Sequence, residues 1–372
     1  MKFIPQISIS QIKPEQWPKN SNPLASYELL KLFEDSGVVT KENGWQPLHL
    51  CLYEDEQQTN LLAVIPSYVK SHSYGEYVFD WTWANYYQQL GLDYYPKLLT
   101  ATPLTPCLAP KILGELNHVQ LQSWATTIAE WLEQYQISSW HLNFPDLGSQ
   151  TSLKSLGFIE RSDIQFHWRN QNYASFEDYL ANLKPKKRRN IQQERRKVSE
   201  AGWRFHRKLA KEVSDEEWEL LYQLYTHTFE KKAGWGQLNL AFFQGLRTAF
   251  PENAMLIFAK RQGQIKAASL FFISDSHLYG RYWGAFEQTG GLHFESCYYQ
   301  GIEYAIEKGL EVFEPGAQGE HKLARGFDPI ITNSYHYIIR HEHQESILRW
   351  VEQEKHQAEQ RLGYYRQHSA YR

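Results

Sequence analysis

The densest group of chemically active side chains lies in residues 314–327, EPGAQGEHKLARGF. Acidic, basic and imidazole side chains alternate there with glycines, a composition that neither helices nor strands favour. Loops on a rigid scaffold commonly carry catalytic groups. Glu320 beside His321 offers a general base with an orienting partner, or a clamp for a substrate ammonium. We therefore predict that Glu320 and His321 are catalytic; the alternative is a surface loop of turn residues.

A second group lies where a helix is predicted to begin. Gly290 and Gly291 would let backbone amides approach a ligand closely, and the helix N-terminus adds a partial positive charge. With Arg281 in the preceding strand, they are the predicted cofactor-binding residues, an ordinary loop being the alternative. His293 and Glu295 follow in the first turn and are the second pair of catalytic candidates, since either can accept the proton that an attacking amine loses. A buried or capping histidine is the alternative for His293.

A basic helix is predicted over residues 184–197, KPKKRRNIQQERRK, which carry eight basic side chains and a single acid, Glu194. Helical spacing predicts four arginines on one side, and guanidinium forks match phosphate oxygens in pairs. The predicted phosphate-binding residues are Lys187, Arg188, Arg189, Arg195 and Arg196 on this helix, and Gln318, Lys322 and Arg325 in the glycine-containing loop. The ligand stays open between a coenzyme pyrophosphate, a nucleotide sugar and a tRNA backbone, and a solvated charged face is the alternative.

Composition narrows the classes of protein further. The formal net charge of -3 gives no whole-molecule attraction to nucleic acid or anionic membranes. Cys51, Cys107 and Cys297 have no paired spacing, and His341 and His343 have only a generic spacing, so no metal site or disulfide is predicted. We expect a cytoplasmic protein without a membrane span, because no apolar run reaches about 18 residues. No permanently bound cofactor is expected.

The order of predicted elements gives the fold class. In the second half, apolar spacing and turn residues predict, in order, a strand, two helices, three antiparallel strands, a helix, a strand, a loop, a strand and a C-terminal helix. This order is similar to that of the GNAT fold. The first half repeats it less clearly, with residues 79–110 predicted to form an irregular aromatic wall. The predicted domains are residues 1–169 and 170–341, followed by a helical tail over 342–372.

Three longer segments carry a family resemblance: KPKKRRNIQQERRKV, YWGAFEQTGGLHFESCYYQGIEYAIEKGL and EPGAQGEHKLARGF. They resemble the FemAB-like N-acyltransferases of the peptidoglycan biosynthesis/recognition family, within the GNAT superfamily. The resemblance implies a bacterial α/β protein with tandem GNAT-like domains and mixed, mainly antiparallel sheets. The wider Fem group has a basic helix of the form K-x-R-x-x-I-R-x-x-x-K followed by glycine. Comparable positions here are Lys187, Arg189, Arg195, Lys197 and Gly202.

Two function classes follow from these observations. The first is an N-acyltransferase that moves an acyl or aminoacyl group from acyl-CoA, as a co-substrate, or from aminoacyl-tRNA to an amine, such as that of a cell-wall precursor. The second is a non-catalytic GNAT-like protein that binds RNA or a nucleotide-linked precursor. Salt-dependent RNA affinity without acyl transfer would favour the second class.

Overall fold

The computed structural model describes residues 1–231, 236–287, 289–317, 319–339 and 344–372. The chain divides into two compact units. Unit 1 comprises Met1–Asp163 and Ile331–Glu359, and unit 2 comprises Ile164–Ile330 and Gln360–Arg372.

The first part of the chain supplies most of unit 1. Its helices and strands are, in order, β1 Lys2–Gln6, α1 Tyr27–Asp35, β2 Trp45–Pro47, β3 His49–Tyr53, β4 Leu61–Ile65, β5 Ser67–Lys70, α2 Trp81–Gln89, β6 Lys97–Thr100, β7 Leu113–Gly114, α3 His118–Gln134, β8 Ser139–Asn143, α4 Leu147–Ser155 and β9 Ile159–Arg169.

The remaining elements follow from residue 170 onward. They are α5 Phe176–Ala181, α6 Pro185–Glu200, β10 Arg204–Leu209, α7 Asp215–Glu230, α8 Leu240–Ala249, β11 Ala254–Arg261, β12 Gln264–Ile273, β13 His277–Ala285, α9 (Leu292–Phe294, a π-helical turn Glu295–Tyr299, and Gln300–Lys308), β14 Val312–Glu314, β15 Asp328–Ile338 and α10 Gln344–Gln367.

Unit 1 contains two groups of paired strands. The order β1-β3-β4-β7 forms an antiparallel sheet, and the order β2-β5-β6-β8-β15 is antiparallel except where β6 runs parallel to β8. The apolar face of α3, with Trp124 and Ile128, packs in a core with Trp140 of β8. Long apolar side chains at helical spacing thus hold α3 against the sheet.

Unit 2 carries the predicted GNAT-like order. Its strands pair in the order β10-β11-β12-β13-β14-β9, antiparallel except for β13 with β14. The predicted N-cap of α7 is confirmed, because Ser214 and Glu217 satisfy each other's backbone amides in a capping box. Gly309, with φ of 66°, ends α9 as predicted. The predicted fold class, tandem GNAT-like α/β with mixed sheets and a C-terminal helix, is confirmed.

The units differ from the predicted domain segments because each unit takes its last strand from the other half of the sequence. In unit 2, Trp168 at the end of β9 pairs with Phe313 of β14. In unit 1, His336 of β15 pairs with His141 of β8. Unit boundaries therefore fall inside β9 and β15, and residues 331–339 group with unit 1.

The aromatic segment 79–110 contains regular structure that the sequence did not predict, namely α2 and β6. The sequence of α2, WTWANYYQQ, has a weak helix propensity because aromatic side chains lose rotamer freedom in a helix. Trp83 and Tyr87 are 0% exposed, so tertiary burial holds the helix instead. Among the described residues, no helix is long and apolar enough to cross a membrane.

Candidate functional site

A pocket of about 90 Å³ opens in unit 2, between the paired strands β12 and β13 and the first turns of α9. Arg281, His293, Cys297 and Tyr298 line it. Whole drug-sized ligands fill pockets of roughly 300–1,000 Å³. The volume therefore suits the reacting end of a substrate better than an entire coenzyme.

A β-bulge positions Arg281 at this pocket. Leu270 of β12 faces Tyr282, whereas the next residue, Phe271, faces Gly280, so Arg281 is the extra residue on β13. A bulge bends the strand and redirects the side chain beside it. Arg281, predicted to bind a cofactor, is thereby placed in the pocket wall.

One edge of β13 is open beside the pocket. β13 pairs with β14 only over His277–Tyr279 and then continues to Ala285, whereas β14 ends at Glu314. In the part of the chain that the structure describes, no strand pairs with residues 280–285 on that side. A substrate can bind by hydrogen bonds to the main chain along such a strand edge.

The π-helical turn of α9 presents Tyr298 to the pocket. Such turns are rare and occur frequently at functional sites. The Tyr298 hydroxyl lies 2.9 Å from Nε2 of His321. Burial raises the pKa of Tyr298, so its hydroxyl stays protonated near neutral pH. It can therefore donate to His321 or pass a proton to it.

His321 belongs to a short 3-10 helix, Glu320–Arg325, that follows Gly319. Gly319 has φ of 120°, and a Cβ there would lie 2.6 Å from the His321 ring. Partial burial, and then the positive charges of Arg325 and Lys322, lower the pKa of His321. The imidazole is therefore neutral at pH 7 and can accept a proton.

His293 also contacts this group. Its ring centroid lies 5.4 Å from that of Tyr298 and 6.3 Å from that of His321, and it also packs against Trp283. Two predicted catalytic histidines are thus brought into one aromatic group, in which His293 lines the pocket and His321 packs against Tyr298.

The predicted ligand residue Arg325 is buried, with 8% of its surface exposed. Its guanidinium donates to the Tyr299 hydroxyl at 3.0 Å, to the His321 carbonyl at 2.8 Å and to the Glu194 carboxylate at 2.7 Å. It also lies 3.4 Å above the Phe294 ring. Arg325 therefore fixes the turn that carries His321.

Arg195 and Glu295, predicted as a phosphate ligand and a catalytic acid or base, bind each other. The Arg195 guanidinium donates to both carboxylate oxygens of Glu295, at 3.0 and 3.1 Å, and pairs with Glu303 at 2.7 Å. Glu295 is 3% exposed and also accepts from Gln300. This ion pair joins α6 to α9. Arg195 therefore binds carboxylates of α9, whereas the sequence predicted that it shares a phosphate-binding face with three other arginines.

The outer face of α6 remains basic. Arg189, Arg196 and Lys197 are exposed, and Lys187 and Arg188 are half-buried. Arg196 pairs with Glu200 at 3.7 Å. Within the described residues, the other four form no ion pair. This face keeps the charge that a phosphate would require.

The other predicted residues have separate environments. Lys322 is 2% exposed and donates to the Gly316 carbonyl at 2.7 Å. Glu320 is exposed and accepts a hydrogen bond from Tyr365. Gly291 has φ of 94°, and a Cβ there would lie 3.4 Å from the Glu194 carbonyl oxygen, so this glycine packs on α6.

Gln318, His341 and His343 lie outside the described residues. Among the residues that are described, no group of three or more His, Cys, Asp or Glu side chains is arranged to hold a metal ion.

Sequence reasoning missed two acids and two tyrosines that shape the site. Glu194 and Tyr299 hold Arg325, Glu303 holds Arg195, and Tyr298 contacts His321. One signal was available for Glu194. It is the only acid of the basic segment, and it lies on the side of the helix that carries the buried Ile191 and Val198, as Arg195 does.

A repeated sequence pattern occurs in β9 and β15, the strands that the two units take from the other half of the sequence. Residues 165–168 of β9 read QFHW and residues 334–337 of β15 read SYHY. In unit 2, Nε2 of His167 lies 3.9 Å from the buried Glu314 carboxylate. In unit 1, Nδ1 of His336 lies 2.5 Å from Nδ1 of His141. The pattern supports the interpretation that the two units are tandem copies of one fold.

Comparisons with known proteins agree with this architecture. Residues 8–372 match the FemAB-like family, described as peptidoglycan biosynthesis/recognition. The structure is similar to that of FemX, with TM-score 0.53, 11% identity, and coverage of 94% of this chain and 100% of that one. It is also similar to L-PGS from Bacillus licheniformis, with TM-score 0.52, 11% identity, and coverage of 87% and 94%. No curated protein sequence matches the chain.

The structural likenesses support the fold, and the family match spans nearly the whole sequence. The chain belongs to the FemAB-like family.

Proposed function

We propose that the protein is an N-acyltransferase that moves an acyl or aminoacyl group from a phosphate-containing donor to an amine. The observation that carries the proposal is the pocket beside the open edge of β13, whose wall contains Tyr298 with its hydroxyl hydrogen-bonded to His321. Family membership supports a cell-wall precursor as the amine acceptor.

The chemistry follows from the groups at the pocket. An acceptor amine attacks the carbonyl carbon of the donor ester or thioester, forming a C–N bond and a tetrahedral oxyanion. Backbone N–H groups on the open edge of β13, with Arg281, are suited to stabilise that oxyanion. The amine proton passes to the Tyr298 oxygen as the Tyr298 proton passes to Nε2 of His321. Collapse breaks the C–O or C–S bond, and the imidazolium returns the proton through Tyr298 to the leaving group.

His293 is assigned a binding role in this scheme. It lines the pocket and packs edge-on against Tyr298 and Trp283. The imidazole thus fixes the tyrosine ring and contributes to the wall that contacts the acyl group. Glu295 is not assigned a proton-transfer role, because its carboxylate is held by Arg195 and Gln300.

The donor's phosphates are assigned to the outer face of α6. Lys187, Arg188, Arg189 and Lys197 supply cations that form no ion pair within the described residues. Either acyl-CoA or aminoacyl-tRNA carries phosphates that such a face would bind. Because exposed phosphate contacts release counterions, donor affinity should fall steeply with salt.

A thermal-shift panel identifies the donor. Acetyl-CoA, longer acyl-CoAs, nucleotide-linked muropeptides and charged tRNA are compared, since a ligand that binds the folded state raises Tm by mass action. The true donor should raise Tm in the wild type and less so in Arg188→Gln/Arg189→Gln. Glu219→Gln changes an exposed residue on α7, away from the basic face, and is the control for the effect of a surface substitution on Tm. A donor shift that survives the double substitution unchanged would remove α6 from the proposal.

The exposed basic face also favours a second candidate, a binding protein for RNA or a nucleotide-linked precursor. Transfer of a labelled acyl group from the identified donor to an amine separates the two. Salt-dependent binding without any transfer, over a range of acceptor amines, would favour the binding protein.

A further inference from the structure

A second cavity, of about 270 Å³, lies in unit 1 between the outer face of α3 and strands β8 and β15. Its floor is aromatic and consists of Trp140, Phe158 and Tyr337. The ring centroids of Trp140 and Phe158 are 5.2 Å apart, and those of Phe158 and Tyr337 are 5.6 Å apart. The rings therefore form one continuous apolar surface rather than isolated contacts.

The rim of this cavity is acidic. Glu130 and Glu133, three positions apart on α3, line it together with the small side chains of Ala125 and Ala129 on the same helix. Both carboxylates are exposed, and neither has an ion pair within the described part of the chain. No lysine or arginine occurs among the described lining residues. The cavity thus combines an aromatic floor with two uncompensated negative charges.

We propose that this cavity binds a small organic cation, an alkylated ammonium ion with an apolar body. Aromatic faces attract cations, and ammonium ions with alkyl groups are recognised in this way because they are weakly hydrated. The glutamates supply the opposite charge at the rim. An inorganic ion would need oxygen ligands to replace its hydration shell, which the aromatic floor does not offer. A neutral apolar ligand would gain nothing from the carboxylates.

The site is independent of the proposed acyl transfer. Every described residue that lines it belongs to unit 1, whereas Tyr298, His321 and the basic face of α6 belong to unit 2. Binding can therefore be measured without a donor or an acceptor, and failure of one proposal leaves the other standing.

The test uses choline and its neutral isostere, 3,3-dimethylbutan-1-ol, titrated into the full chain by NMR or calorimetry. Choline should bind with a Kd on the order of 1 mM, and the isostere at least fivefold more weakly. Glu130→Gln/Glu133→Gln should weaken choline binding about fivefold or more, since the neutral amides no longer attract the cation as the two exposed carboxylates do. Tyr337→Leu should weaken it by a similar factor.

A matched control has the same change of charge elsewhere. Glu216→Gln/Glu219→Gln alters two exposed glutamates with the same spacing on α7, and should leave choline binding unchanged. The site would be refuted if choline fails to bind at roughly ten times the expected Kd. Equal binding of the neutral isostere, or unchanged binding in the Glu130/Glu133 variant, would also overturn it.

Discussion

Arg325 is the residue whose replacement tests the architecture of unit 2 most severely. It joins three elements, because it bonds Glu194 of α6, Tyr299 of α9 and the carbonyl of His321 in its own turn. We consider Arg325→Met, which keeps the side-chain length and removes the charge and all the donors.

The expected cost follows from the partners that are left behind. The Arg325 and Glu194 side chains are 10% and 27% exposed, so the pair is mostly buried. Removing one partner of a buried pair costs about 3–5 kcal/mol. Glu194 keeps a hydrogen bond from Tyr299 and some water, so the lower end applies. We expect Arg325→Met to lower the free energy of unfolding of unit 2 by about 3 kcal/mol.

Urea unfolding followed by tryptophan fluorescence measures this, with a double-mutant cycle that adds Glu194→Gln. Residues that share a network should couple by about 0.5–3 kcal/mol. Glu307→Gln is the matched control, because its pair with Arg207 is more exposed, at 56% for Glu307, and should cost less than about 1 kcal/mol. The reasoning would be refuted if Arg325→Met destabilised the protein no more than the control does, and if its effect and that of Glu194→Gln were additive.

Three further predictions concern stability. Lys97→Met should destabilise unit 1 by about 3–5 kcal/mol, because Lys97 is 0% exposed and forms ion pairs with Glu76 and Asp80. Thermal unfolding measures this, and a cost below about 1 kcal/mol would contradict the prediction. Burial lowers the pKa of His141 and His336 well below the usual value, so their contribution to stability is present above about pH 6.5 and is lost as the pH falls. His141→Gln/His336→Gln should therefore show a smaller drop in Tm between about pH 6.5 and pH 5 than the wild type, and an equal drop would argue against the pair. Gly284→Ala should lower Tm, because the new Cβ would lie 2.2 Å from the Leu224 carbonyl oxygen. Gly290→Ala should leave Tm unchanged, because nothing lies within 4 Å of its Cβ position. A larger loss of Tm in Gly290→Ala than in Gly284→Ala would be evidence against this packing.

The sequence predicted elements whose signals are local. α7 has a capping box and apolar residues at helical spacing, and α9 ends at a glycine in the left-handed region. These features depend on neighbours a few residues apart, so a single sequence contains them. The order of predicted elements indicated the tandem arrangement only weakly in the first half, and the family resemblance supported it.

Pairings between distant residues could not be predicted in this way. His141 and His336 are 195 residues apart, and the exchange of last strands between the units leaves no local trace beyond the QFHW and SYHY pattern. Register is strongly specified where one face of a strand is buried, but here the paired strands are distant in the sequence, so no single segment shows the pairing.

In the candidate site, too, local sequence features could be predicted, whereas contacts between distant residues could not. Composition drew attention to residues 314–327 and to α6, but it did not show which charges are compensated by partners in the fold. Arg195 and Arg325 look like phosphate ligands in the sequence, yet Glu295 and Glu194 bind them in the fold. Charge density therefore indicated the region, whereas the roles within it depended on tertiary partners.

The central claim is that the Tyr298–His321 pair accepts the proton of the attacking amine. Single-turnover acyl transfer with saturating donor measures it most directly, in the wild type, Tyr298→Phe and His321→Gln. Tyr364→Phe, which alters a tyrosine that is 58% exposed, is the control. We predict that both pair variants lose at least about 100-fold in rate, as removal of a general base does, with unchanged donor affinity and unfolding midpoint. Transfer at the wild-type rate in either folded variant would contradict the claim.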